Sequence, residues 1–101
     1  MTDTGFRNGR SATAGRHQLL LREIDSVAAF AHTEYRRELD RKGPGIFTSR
    51  HEILGVVAEE YWELTEAIHS GDADRIQDEL RDIAVAALHG LASLKSGRMD
   101  W

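Results

Sequence analysis

An all-α fold is predicted, an antiparallel helical bundle of three main helices with a short C-terminal turn as a possible fourth piece. Three observations predict it. Apolar residues recur at helical spacing through three long segments of the chain. Turn-forming clusters, Gly43-Pro44-Gly45 and Ser70-Gly71-Asp72, fall between those segments. The length of 101 residues makes one small domain, and a single copy of that size builds only a thin core. The bundle is therefore expected to be completed by another copy, as a homodimer or larger assembly.

Residues 1–16 are rich in Gly, Ser, Thr and Arg without periodicity, and a flexible N-terminal tail is expected there; 17–101 form the helical domain. From His17 to about residue 42, Leu20, Ile24, Val27, Ala31, Tyr35 and Leu39 mark one helical stripe. Gly43-Pro44-Gly45 ends it, with the one proline of the chain. Ser49-Arg50-His51-Glu52 reads as a capping box that opens a second helix, about 50 to 69, with its stripe at Ile53, Val57, Leu64 and Ile68. Gly71 suits a left-handed C-terminal cap, and Asp72 or Asp74 the next N-cap. The third helix, about 73 to 96, carries Ile76, Leu80, Ile83, Ala87, Leu91 and Leu94 on its stripe. A connection this short makes the second and third helices antiparallel neighbours.

Composition narrows the function. A net charge of −4 and a pI near 5.7 argue against a nucleic-acid partner, which calls for a basic face. Without cysteine there is neither a disulfide framework nor a thiolate metal site. No apolar run approaches a membrane span and no apolar signal core follows the N-terminal arginines, so no membrane partner and a cytoplasmic location are expected.

The anomaly lies in the acids. Glu60 falls inside the apolar face of the second helix, between Val57 and Leu64, with Glu63 one turn on. Glu79 and Asp82 repeat the spacing on the shoulder of the third helix, in line with Ala86 and Gly90. An i,i+3 pair shares a helix face, so two antiparallel helices would bring four carboxylates together. Carboxylates crowded out of water need a positive partner, and a hard divalent cation with oxygen ligands supplies one. Glu52, Glu59 and Glu66 lie further round and fit a solvated face. Arg75 and Arg81 offer ion pairs instead, and spacing alone leaves the metal and ion-pair readings level.

The stretch His51–Leu94 resembles the MazG-like branch of the all-α nucleoside triphosphate pyrophosphohydrolases. The resemblance rests on Glu60-Tyr61-Trp62-Glu63, an E-x-x-E, followed across a short turn by Glu79-Leu80-Arg81-Asp82, an E-x-x-D. His-x-x-Leu-Gly before the first motif and Asp-Ile closing the second also agree. The resemblance implies Mg²⁺-dependent hydrolysis of a nucleoside triphosphate to the monophosphate and pyrophosphate, with Mn²⁺ as an alternative ion. It implies Glu60, Glu63, Glu79 and Asp82 as metal ligands, with Glu60 and Glu63 in the catalytic set and Glu59 as an outer base. Arg75, one turn before Glu79, is a candidate for phosphate oxygens, with an i,i+4 pair to Glu79 as the plainer reading. Phe30 and Tyr35 are candidates to stack on a base, with a core position as the plainer reading.

Two departures stand out: Trp62 and Arg81 occupy motif positions where the family usually carries small residues. Rival readings are a non-catalytic nucleotide-binding or regulatory relative, and a di-iron carboxylate bundle. The latter normally uses Glu-x-x-His, which this chain lacks at the required offset.

Overall fold

Three α-helices make up the regular structure in the computed structural model, which describes residues 15–101: α1 (Leu21–Lys42), α2 (Arg50–Ser70) and α3 (Ala73–Ser96). The described residues contain no strand, in keeping with the all-α prediction. Of the expected flexible tail, residues 1–14 lie outside the described residues.

Each helix boundary has a local cause. α1 starts at Leu21, later than the apolar periodicity from His17 suggests. The Glu23 carboxylate accepts the Leu20 N–H at 2.7 Å and closes the first turn there. α1 ends where Gly43 takes φ +90° and donates its N–H to the Leu39 carbonyl at 2.8 Å. At the start of α2, Ser49 Oγ accepts the Glu52 N–H, as a capping box requires. The Glu52 side chain reaches one residue further back than predicted, accepting from Thr48 N–H at 2.7 Å and Thr48 Oγ1 at 3.1 Å. Gly71 ends α2 in the left-handed region at φ +72°, and Asp72 caps α3 by accepting from the N–H groups of Asp74 and Arg75.

The chain divides into two compact units, up to Phe30 and from Ala31 to Trp101, and α1 crosses the division. In the first unit Leu21, Val27 and Phe30 are each more than half exposed. The second unit holds the α2–α3 hairpin. Its register is antiparallel, because Ile53 packs beside Gly90 while Glu60 meets Asp82.

What the hairpin buries differs from the predicted stripes. The buried positions are Ala67 on α2 and Ala86, Gly90 and Ser93 on α3, all small. Small side chains let the helix backbones approach closely, so the hairpin closes along this line. The bulky stripes are covered in part: Ile53, Val57, Leu64, Ile76 and Ile83 are half-buried, whereas Ile68, Leu80, Leu91 and Leu94 are exposed, as are Leu54 and Tyr61. Among the described residues no helix is long and apolar enough to cross a membrane.

Candidate functional site

The hairpin register places Glu60, Glu79 and Asp82 side by side. One carboxylate oxygen from each lies within 4.8 Å of the others, and all three residues are half-buried. α2 supplies Glu60 from the face that carries Val57 and Leu64. α3 supplies Glu79 and Asp82 from successive turns, in line with the small residues of the hairpin contact. Glu79 Oε1 is buried and has no hydrogen-bond partner.

Electrostatics follow from this crowding. Burial first, then the neighbouring Glu63 carboxyl and the nearby charges of Asp82 and Glu79, push the Glu60 carboxyl up to about 7. Glu79 is also raised, chiefly by burial and then by Glu63 and Asp82, with Arg75 opposing weakly from a distance. A cluster that resists full ionisation by itself is one that a divalent cation stabilises. The residues fit such an ion: the donors are all hard oxygens, and an unpartnered buried oxygen is among them.

Glu63 is exposed and stands outside the closest trio, although it lies near enough to help raise the Glu60 carboxyl. Glu59 is exposed, as its position further round the helix predicts. Arg75 forms no ion pair with Glu79 within 4.0 Å among the described residues. Trp62 is 64% exposed and does not line the cavity beside the acids. Arg81 engages them: its Nε and Nη2 donate to Asp82 Oδ1 at 3.2 and 3.1 Å, and its Nη1 lies 3.5 Å from Asp78. Arg81 therefore holds one oxygen of a candidate ligand. Phe30 lies in the unit that ends at that residue and is 51% exposed.

A cavity of about 400 Å³ opens beside the acids, lined by Glu60 and Asp82 and also by Val56, Tyr35, Phe47 and His89. Tyr35 thus lines the cavity as a half-buried residue, but its ring meets the edge of His89 at a 5.7 Å centroid distance. Phe47 meets the same imidazole edge-on at 4.7 Å. The loop between α1 and α2 is tied down here. His89 Nε2 donates to the Gly45 carbonyl at 2.7 Å, and buried Ser93 Oγ accepts the Phe47 N–H at 3.0 Å. The C-terminal residues add Asp100 N–H to the Thr48 carbonyl at 2.7 Å.

His89, Phe47 and Ser93 did not emerge from sequence reasoning. His89 had a detectable signal, because it follows Asp82 by seven residues and so shares its helix face. Phe47 sits in a loop, where no periodicity reports direction. No protein-family model, curated protein or solved structure matches the chain.

Proposed function

We propose that this protein is a divalent-metal-dependent nucleoside triphosphate pyrophosphohydrolase that releases the monophosphate and pyrophosphate. The observation that carries the reading is the trio Glu60, Glu79 and Asp82, with its unpartnered buried oxygen on Glu79. Two of its members, Glu60 and Asp82, line a cavity that Tyr35, Phe47 and His89 also line. Such a cavity matches a substrate with a polyanionic end that needs a cation and a planar end that needs apolar walls.

In this reading Glu60, Glu79 and Asp82 would hold Mg²⁺ or Mn²⁺, and Glu63 would complete the set from the solvent side. A bound divalent ion supplies charge neutralisation at phosphate oxygens and lowers the pKa of water. Glu63, and behind it Glu59, are the exposed carboxylates able to take the proton that an attacking water loses. Arg75 is left to meet outlying phosphate oxygens, having no acid within ion-pair range among the described residues.

Assembly as a homodimer or homotetramer belongs to the same proposal. Leu54, Tyr61 and Ile68 repeat at seven-residue spacing along α2, as do Leu80, Ala87 and Leu94 along α3, and all are exposed. Covering these lines with a second copy removes apolar surface from water. A cytoplasmic setting accords with a nucleotide substrate.

One observation favours the second reading, a non-catalytic nucleotide-binding module: Arg81 already occupies Asp82. A panel of canonical and modified nucleoside triphosphates with Mg²⁺, scored for pyrophosphate, separates the two. Pyrophosphate from at least one member supports the enzyme. Nucleotide binding without pyrophosphate from any member supports the module.

A further inference from the structure

The Tyr35–His89 wall of the cavity carries information about which base it takes. Gly45 contributes a carbonyl, which has no proton to give, so His89 Nε2 must be the donor in their 2.7 Å contact. Neutral imidazole then presents Nδ1 as an acceptor, and the Tyr35 hydroxyl, 2.8 Å away, must donate to it. The single hydroxyl proton of Tyr35 is therefore committed inside the wall. What Tyr35 can offer to the cavity is a lone pair.

The neighbouring polar groups have the same character. Gly45 keeps a second lone pair on its carbonyl. Glu52 uses Oε1 for Thr48, which leaves Oε2 as an acceptor. The two cations on the cavity wall, Arg41 and Lys42, are turned onto Glu38 at 2.8 and 3.5 Å. Both cations keep spare N–H groups, but their side chains are about two-thirds exposed to solvent. The groups held beside the Phe47 and His89 rings, the Tyr35 hydroxyl and the Gly45 carbonyl, have acceptor capacity left over.

We infer that this wall of the cavity selects a nucleobase with an exocyclic amino group over its counterpart with an oxo group at the same ring position. Cytosine is thus preferred to uracil, and adenine to hypoxanthine. An amino N–H meets the Tyr35 or Gly45 lone pair, whereas an oxo group sets two acceptors against each other in a part-buried site. The inference rests on the nucleotide reading of the cavity and assigns the base class for it. The device is the fixed proton direction along Tyr35, His89 and Gly45.

The test uses nucleosides, so that neither phosphate nor metal contributes. Cytidine against uridine, and adenosine against inosine, are titrated into the full chain and followed by protein chemical shifts. The expected result is a preference of roughly ten-fold for the amino member of each pair, the size of one satisfied against one opposed hydrogen bond. His89→Phe keeps an aromatic edge against Phe47 but frees the Tyr35 proton, and Tyr35→Phe removes the lone pair. Both variants are expected to lose most of the preference while still giving dispersed, folded spectra.

Equal affinity within both pairs, preference for the oxo member, or no nucleoside binding at millimolar concentration overturns the inference. So does a preference that survives His89→Phe and Tyr35→Phe undiminished. The outcome is separable from catalysis. Pyrophosphate release with no base preference removes this inference and leaves the enzyme. Amino preference without pyrophosphate release leaves this inference and removes the enzyme.

Discussion

Glu60 is the residue whose chemistry departs furthest from an ordinary surface acid. Its carboxyl sits at about 7, chiefly through burial, against 4.5 for an unhindered glutamate. The folded protein therefore binds this proton more tightly than the unfolded chain does. The associated stability is fully present below pH ~4.5 and is lost as pH rises through about 7. Metal-free protein is expected to lose thermal stability between pH 5 and 8, with Glu79 acting in the same direction. Glu60→Gln removes the titration, so thermal scans of that variant should fall less over the same range. An equal fall would place the effect elsewhere. Arg81 makes a second prediction at this scale. Its hydrogen bonds to Asp82 compete with any cation, so Arg81→Ala should tighten Mn²⁺ binding. The gain should be up to roughly five-fold, as befits a part-exposed pair worth ~0–1 kcal/mol. Calorimetry on the two proteins measures it; weaker binding in the variant would mean that Arg81 orients Asp82 instead of blocking it.

At the scale of the helices, the site exists because α2 and α3 close along small residues. A Cβ placed on Gly90 would meet Ile53 Cγ2 at 3.7 Å, an ordinary contact. Gly90→Ala is therefore tolerated sterically, and the gain in helix propensity should stabilise the protein by up to ~1 kcal/mol. Gly71→Ala should go the other way by ~1 kcal/mol or more, because φ +72° opposes a side chain. Denaturant melts of the two variants test the pair of signs. Ser93→Ala strands the Phe47 N–H and should cost about 1–3 kcal/mol while loosening the loop that walls the cavity. Most of this scale was legible in the sequence. The capping box at Ser49, the turn at Gly71 and the acid pairs all announce themselves by local chemistry. The α1 start was not, because Glu23 caps Leu20 against a stripe that continues to the N-terminal side. The bulky stripes were right in part, with Ile53, Val57, Leu64, Ile76 and Ile83 half-buried: periodicity locates a face, and the small residues beside it decided where the backbones met.

For the molecule as a whole, exposed Leu54, Tyr61, Leu80 and Leu91 predict association. Light scattering at micromolar concentration should give a dimer mass or more, and Tyr61→Lys with Leu91→Lys should shift it toward the monomer. A monomer mass for the unaltered protein would reject the assembly. The site was half legible in the sequence. Its four acids could be paired by spacing, yet Glu63 standing outside the trio, the engagement of Asp82 by Arg81, and the Tyr35–His89–Gly45 chain depend on tertiary placement. The central claim is that the hairpin builds a divalent-cation site from these carboxylates. Calorimetric titration of Mn²⁺ into the unaltered protein and into Glu60→Gln and Asp82→Asn tests it most directly. Saturable binding that is lost or strongly weakened in both variants is expected; binding of unchanged affinity and stoichiometry in both would contradict it.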